Sequence, residues 1–167
     1  MEKQPAAMEM AEEAREKAWK YPSFVAELFM GNFRKELMFP YPEQSTEDKV
    51  KGDLFLNQLE QFCKTRLDAD AVDEKKDLPA DVLQGLKDLG CFGIKIPKEY
   101  GGLGMSQLNY NRAISLISSH CVNTAVWLSA HQSIGVPTPL KMFGTAEQKK
   151  KYLPRLAKGA VSAFALT

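Results

Sequence analysis

Two histidines, His120 and His131, are the side chains in this sequence best suited to acid–base or metal chemistry. They lack HExxH spacing or any other ligand pattern, so the sequence predicts no metal site. His131 opens the run His131-Gln132-Ser133 in an otherwise apolar segment beside Trp127. The favoured interpretation is a buried histidine with satisfied hydrogen bonds, and a ligand contact is the alternative.

Other catalytic patterns are incomplete. No serine stands in the GxSxG turn that exposes a nucleophile. Gly101-Gly102-x-Gly104 lacks GxGxxG spacing and a preceding strand, so it predicts a turn with positive φ rather than a phosphate-binding loop. The acidic and basic residues of 68–77 predict a solvated loop. The residues alone therefore predict no catalytic group.

Composition narrows the class of protein. The chain has 167 residues, a formal net charge of +1, 44% hydrophobic and 26% charged residues, as in an ordinary globular domain. This charge gives no electrostatic reason to expect nucleic acid as a partner. No apolar run is long enough to span a bilayer, so membrane association is not predicted from this chain. Cys63, Cys91 and Cys121 have no metal-binding or CxxC spacing and predict reduced, partly buried thiols.

Helix-capping residues predict the elements. Residues 1–20 predict a tail or solvated helix, and residues 21–44 predict a short helix followed by a connector that contains prolines. Glycines at 90 and 159 are expected to end helices, and Pro154 is expected to break one. Helix starts are expected at Ser23, Ser45, Ser106, Asn123 and Thr145. The result is an all-α fold of about six helices.

The last residues differ from the rest. Residues 161–167 alternate small or polar with apolar side chains after Gly159, which predicts the start of a β-strand. A single strand needs a sheet to satisfy its backbone. We therefore expect this segment to be the first strand of a β-domain whose other strands are absent from this sequence.

Three motifs carry a family resemblance. They are GLKDLGCFGIKIPKEYGGLGMS at 85–106, AHQSIG at 130–135 and FGTAEQKKKYLPRLAKGAVSAFALT at 143–167. In order and spacing they resemble the flavin-dependent acyl-CoA dehydrogenases. The upstream segment, 24–43, is similar to the very-long-chain branch and its complex I assembly-factor relative.

The resemblance implies that residues 45–160 form the N-terminal helical domain and that 161–167 begin the middle β-domain. The implied activity is FAD-dependent oxidation of long-chain fatty acyl-CoA to trans-2-enoyl-CoA in fatty acid β-oxidation. The catalytic base of the family lies beyond this chain, so we expect the 167 residues alone to be inactive. His131, Gln132 and Gly135 match the helix that borders the acyl channel. Four residues are the implied FAD contacts: Phe164, Ala165, Leu166 and Thr167.

The resemblance also implies partners. These are the fatty acyl-CoA substrate, an electron-transfer flavoprotein and, for the longer protein, a homo-oligomer. It implies a mitochondrial location, or a cytoplasmic one if the source is bacterial. The alternative is a helical interaction module, or a truncated relative, that acts in the assembly of a respiratory complex.

Overall fold

The computed structural model describes residues 22–41 and 43–162. The chain divides into two compact units, Met1–Glu43 and Gln44–Thr167. Within the described ranges all regular structure is helical, which confirms the all-α prediction. The α-helices are α1 Phe24–Phe29, α2 Thr46–Arg66, α3 Ala69–Lys75, α4 Ala80–Asp88, α5 Gln107–His120, α6 Val122–Ser129, α7 Pro137–Phe143 and α8 Ala146–Ala157. A π-helix spans Ala130–Ile134, and 3-10 turns span Lys35–Leu37, Cys91–Gly93 and Lys98–Tyr100.

The described part of the first unit contains the short helix α1, which has the expected ends. The Ser23 hydroxyl accepts a hydrogen bond from the Ala26 amide at the start of α1. Gly31 follows the helix with a φ of 84°, a conformation that glycine adopts without steric cost. The Phe24 and Phe33 rings pack edge to face, with centroids 6.1 Å apart. The predicted helix start at Ser23 is thus confirmed.

In the second unit, the starts of α2 and α5 are joined through one carboxylate. Ser45 and Ser106 cap these helices, each accepting a hydrogen bond from the amide three residues on. The Ser106 hydroxyl also donates to Asp48 Oδ2 at 2.6 Å, and buried Asn109 donates to Asp48 Oδ1 at 3.0 Å. The hydrogen bonds from Ser106 and then Gln44 lower the pKa of Asp48 from its ordinary value. Two helix starts therefore share one stabilised anion.

The main core lies among α2, α4, α5, α6 and the 91–96 segment. The most deeply buried side chains come from all five parts: Leu59, Leu86, Phe92, Ile94, Ala113, Ile117 and Leu128. A second cluster joins α8 to the loop through Ile96, Leu153, Leu156 and Ala157. The 91–96 segment contributes to both clusters, through Phe92 and Ile94 to the first and through Ile96 to the second.

The loop from 90 to 105, here called the glycine loop, folds back on itself. The Leu103 amide donates to the Gly93 carbonyl at 2.9 Å, and the Met105 amide donates to the Ile94 carbonyl at 2.8 Å. A Cβ on Gly102 would overlap the Ile96 carbonyl, so the two passes of backbone require glycine there. Lys51 of α2 donates to the Leu103 carbonyl at 2.8 Å. The turn interpretation of the glycines is confirmed, with a φ of 82° at Gly101.

Three local predictions were wrong. Residues 69–75 form α3 rather than a loop, because Asp68 caps the helix and Val72 is buried in the core. Asn123 does not cap α6. That helix follows Cys121, and the Asn123 side chain bonds Asp73 instead.

The third wrong prediction concerns Pro154. This proline lies inside α8 without ending it, although it removes one backbone donor. Leu153 and Leu156 are buried on either side of it, and their packing holds the helix together. The helix ends before Gly159, as expected.

The predicted strand is described only at its first two residues. Val161 and Ser162 have no regular secondary structure, and residues 163–167 lie outside the described residues. The strand therefore stays a prediction.

Gly52 of α2 tests how closely α2 and α5 pack. A Cβ on Gly52 would overlap the side chain of Asn109. In an exposed helix, Gly→Ala stabilises by about 1 kcal/mol. Here we expect Gly52→Ala to lower the free energy of unfolding by about 1–3 kcal/mol, as overpacking does. Urea denaturation measures this.

The matched control is the double variant Gly52→Ala, Asn109→Ala. Truncation of Asn109 removes the overlap, so the Gly52→Ala step should cost less in that background. An equal cost in both backgrounds would contradict the packing explanation.

Candidate functional site

The AHQSIG motif forms the π-helix between α6 and α7. The Gly135 amide donates to the Ala130 carbonyl at 2.7 Å, five residues back. Such π-helical turns often occur at functional sites because they redirect side chains within a helix. Here the extra residue turns His131 and Gln132 into the interior, where each is 1% exposed.

His131 is held on both ring nitrogens. The Ser162 amide donates to Nδ1 at 3.2 Å, so Nδ1 carries no proton. Nε2 then carries the proton and donates to the Phe92 carbonyl at 3.2 Å. The Ser162 hydroxyl lies 2.9 Å from Nδ1 and can donate to it as well. These contacts define a neutral imidazole with its proton on Nε2.

The surroundings favour this neutral form. Burial lowers the pKa of His131 from its ordinary value of 6.5, and the hydrogen bond with the Phe92 carbonyl opposes that change. The Phe92 ring packs against the imidazole with centroids 5.1 Å apart. A buried, hydrogen-bonded histidine, the favoured interpretation of the sequence, is what the structure contains.

Gln132 connects the π-helix to the glycine loop. Its Nε2 donates to the Cys91 carbonyl, and its Oε1 accepts from the Lys95 amide at 3.3 Å. The Thr138 hydroxyl donates to the Gln132 carbonyl. Both polar ends of the side chain are thus satisfied by backbone of the loop, as burial requires.

Gly135 is a site of close approach. A Cβ there would lie 2.5 Å from the His131 carbonyl oxygen and 2.6 Å from the Ser162 hydroxyl. Only glycine at this position allows the π-helix and Ser162 to approach each other so closely. The three residues that the sequence suggests for substrate binding are therefore together, but they face the interior.

One exposed row of side chains on α6 is apolar. Val122 is 64% exposed and Val126 is 59% exposed, and Ala130 continues the same row at four-residue spacing. We call these three residues the α6 face. Exposed apolar rows of this kind mark ligand or protein contacts more often than isolated exposed residues do. The four-residue spacing of this row is visible in the sequence, but the substrate-binding prediction was drawn from the polar run after Ala130 and did not include it.

A groove of about 710 Å³ lies between α7 and α8. Ser162 lines its edge, so the described chain ends along it. Apolar side chains dominate its walls, including Val136, Leu140, Phe143, Tyr152, Leu156 and Val161.

The cysteines are unsuited to nucleophilic chemistry. Cys63, Cys91 and Cys121 are free and buried, in agreement with the prediction of reduced thiols. Burial raises the pKa of Cys63 to about 11 and raises the pKa of Cys91 further. Because the thiolate is the reactive form, Cys63 and Cys91 are poor nucleophiles in the folded chain.

Other chemistry is limited by what the described residues provide. In residues 22–41 and 43–162, no three His, Cys, Asp or Glu side chains are placed to hold a metal ion. Across the same ranges no helix has the length and apolarity needed to cross a membrane. The predicted FAD contacts, Phe164 to Thr167, lie outside the described residues. Ser162 is a functional candidate that the sequence did not suggest, since a lone serine within the predicted strand 161–167 matches no motif.

Comparisons with known proteins agree on one family. The family described as acyl-CoA dehydrogenase, N-terminal domain, matches residues 51–160. The chain is 48% identical over 161 residues to the probable acyl-CoA dehydrogenase FadE10 of Mycobacterium tuberculosis, covering 96% of this chain and 25% of FadE10. It is 40% identical over 150 residues to the mitochondrial very long-chain specific acyl-CoA dehydrogenase of Rattus norvegicus, covering 87% and 22%.

A solved structure supports the same relation. The acyl-CoA dehydrogenase complexed with FAD from Bacillus anthracis matches with a TM-score of 0.53 and 30% identity, over 77% of this chain and 22% of that one. The chain spans about a quarter of the length of the curated relatives it matches.

Gln132 tests whether the π-helix holds the glycine loop. Gln132→Glu keeps the shape of the side chain but replaces the donor to the Cys91 carbonyl with a buried carboxylate oxygen. We expect a loss of at least about 2 kcal/mol in the free energy of unfolding, because a buried carboxylate oxygen then faces the Cys91 carbonyl with no donor between them. Glutamate keeps the acceptor of the Lys95 amide, so the second readout is faster hydrogen exchange over the glycine loop as a whole.

Gln61→Glu is the matched control, because Gln61 is exposed on α2. Its effect should stay within about 0.5 kcal/mol. Equal effects of the two substitutions would show that Gln132 does not hold the loop.

Proposed function

Since this chain belongs to the acyl-CoA dehydrogenase family, we propose that the native protein oxidises long-chain fatty acyl-CoA to trans-2-enoyl-CoA in fatty acid β-oxidation. The observation that carries this is the match of residues 51–160 together with 48% identity to FadE10 along 96% of the chain. The preference for long chains is supported by the 40% identity to the rat very long-chain enzyme.

The α6 face is the proposed wall for the acyl chain. Val122, Val126 and Ala130 present a continuous apolar row, which suits a methylene chain because burial of apolar surface is favourable. His131, Gln132 and Gly135 are proposed to shape this wall from behind. Their contacts with Phe92, Cys91 and Ser162 fix the position of the helix whose outer side meets the substrate.

FAD is the proposed cofactor, and Phe164, Ala165, Leu166 and Thr167 would hold it. When bound, FAD supplies the acceptor for the hydride that leaves the substrate β-carbon. The α-proton goes to a base outside this chain, so none of the 167 residues is assigned that role. The residues here would bind the acyl chain and exclude water from it. The proposed FAD contacts at 164–167 are supported by the hydrogen bond between Ser162 and His131, because it fixes the residue from which this segment continues.

The proposed partners follow from the reaction. The electrons must leave the reduced cofactor, and an electron-transfer flavoprotein is the proposed acceptor. A homo-oligomer is proposed for the native protein. A mitochondrial location fits the rat relative and a cytoplasmic one fits the mycobacterial relative.

The chain-length preference tests the α6 face. Val126→Trp places a bulky ring on this face, which should shorten the space for the acyl chain. In the native gene product we expect kcat/KM for a long-chain substrate to fall about tenfold or more relative to a short-chain substrate, corresponding to about 1.4 kcal/mol. Steady-state assays with acyl-CoA of several lengths measure the ratio.

Val50→Trp is the matched control, because Val50 is a valine on α2 that is 53% exposed. It should leave the ratio unchanged. A ratio unaffected by Val126→Trp would exclude the α6 face as the acyl wall.

Flavin content tests the proposed reaction itself. The native gene product should be purified with a flavin absorption spectrum and should reduce a dye in the presence of acyl-CoA. The 167-residue chain should reduce no dye, because no catalytic base is assigned within it. It should also bind FAD poorly, because only Phe164 to Thr167 are proposed to contact the flavin. A native product without flavin or turnover would instead favour the helical interaction module. Turnover by the 167-residue chain would contradict the assignment of the base.

A further inference from the structure

We propose that His131 is a positioning residue that anchors the backbone at Ser162 and so sets the point from which residues 163–167 continue. The assignment of those residues to the flavin rests on the proposed function. The anchor itself rests on contacts within the described chain.

The anchor is the last backbone contact before the segment. The Ala160 amide donates to the Arg155 carbonyl at 3.0 Å, which completes the end of α8. Val161 is 52% exposed. The Ser162 amide then donates to His131 Nδ1 at 3.2 Å, and the Ser162 hydroxyl accepts from the Val136 amide at 3.2 Å. The direction of the chain after α8 is therefore set by side chain and backbone of the π-helix region.

The acceptor is itself fixed by the core. The other ring nitrogen of His131 donates to the carbonyl of Phe92, a residue with no exposed surface. Phe92 also packs its ring on the imidazole. Phe92 thus fixes the orientation of the imidazole from the side opposite Ser162. The fixed ring in turn fixes the position of the Ser162 amide.

The anchor depends on the protonation state of the imidazole. The groups that face the ring are the Phe92 carbonyl and phenyl ring from the 91–93 turn, and the Ser162 amide and hydroxyl from the chain end. In the described residues no acidic or basic side chain bonds to it. Protonation would place an N–H at Nδ1 opposite the Ser162 N–H, and two donors repel each other.

Acidification is expected to weaken the contact between His131 and Ser162. Because the folded pKa of His131 is lowered by burial, the unfolded chain binds a proton at higher pH than the folded chain does. Stability contributed by the neutral imidazole is complete above the ordinary pKa of 6.5 and falls as the pH drops below it. The hydrogen bond from the Ser162 amide to His131 is likewise expected to break more often as the pH drops.

Two isosteric variants separate the two sides of the ring. In His131→Gln the side-chain amide can reach the Nε2 position and donate to Phe92, but it leaves no acceptor for Ser162. In His131→Asn the amide oxygen takes the Nδ1 position and can accept from Ser162 without titrating. Amide hydrogen exchange at Ser162 is the direct measurement on the 167-residue chain, with nitrogen chemical shifts of the imidazole reporting the tautomer.

In the wild type we expect the Nε2–H tautomer, and a protection factor at Ser162 that falls as the pH drops below 6.5. His131→Gln should lower that protection about tenfold or more. His131→Asn should retain it and remove its pH dependence. His120→Gln is the control, since His120 lies at the end of α5 near Glu60, and it should change nothing at Ser162.

An Nδ1–H tautomer, or Ser162 protection unchanged in His131→Gln, would overturn the anchor. If His131→Gln fails to fold, the wild-type pH titration and His131→Asn still decide.

The native gene product tests the consequence for the flavin. His131→Gln should raise the Kd for FAD about tenfold, and His131→Asn should leave the Kd near the wild-type value. A general loss of stability would raise the Kd in both variants. A wild-type native product that binds no FAD would refute the proposed function while the exchange results still stand. Altered exchange with an unchanged Kd would refute the positioning role alone.

Discussion

The requirement that buried polar groups be hydrogen-bonded organises the centre of this structure. His131 and Gln132 lie in the interior, and their partners are backbone carbonyls and amides of the glycine loop and the Ser162 amide. These are not optional contacts, because an unsatisfied buried donor costs about 1–3 kcal/mol. The π-helix turns both side chains inward, and the loop must then present its backbone at matching positions. Helical layer, loop and chain end are consequently specified together.

Much of the fold could be predicted because helix ends are written locally. Ser23, Ser45, Ser106 and Thr145 each cap the expected helix, since a hydroxyl at that position satisfies an amide within three residues. The errors came where packing decided the outcome. The charges of 68–77 hid one buried residue, Val72, and Pro154 is tolerated because its neighbours are buried. Neither fact is visible in a local pattern.

The candidate site, like the fold, could be predicted only where local sequence determines it. The AHQSIG motif pointed to the helix that carries His131, and a buried histidine was correctly favoured there. The substrate-binding role of the motif stays a prediction. The motif could not show which side of that helix faces the core, because the π-helix shifts the side-chain directions after Ala130. Ser162 could not be found at all, since its role depends on contact with a residue 31 positions away. The predicted flavin contacts remain predictions.

The three buried cysteines can report local unfolding of the chain through their rates of alkylation. They lie on different parts of the core, at Cys63 in α2, Cys91 in the loop and Cys121 between α5 and α6. An alkylating reagent can reach each thiol only when its surroundings separate, so the rate of modification at each position counts the openings of that region. Without any engineered label, the native sequence can report whether the loop separates from the helices before the helices separate from one another.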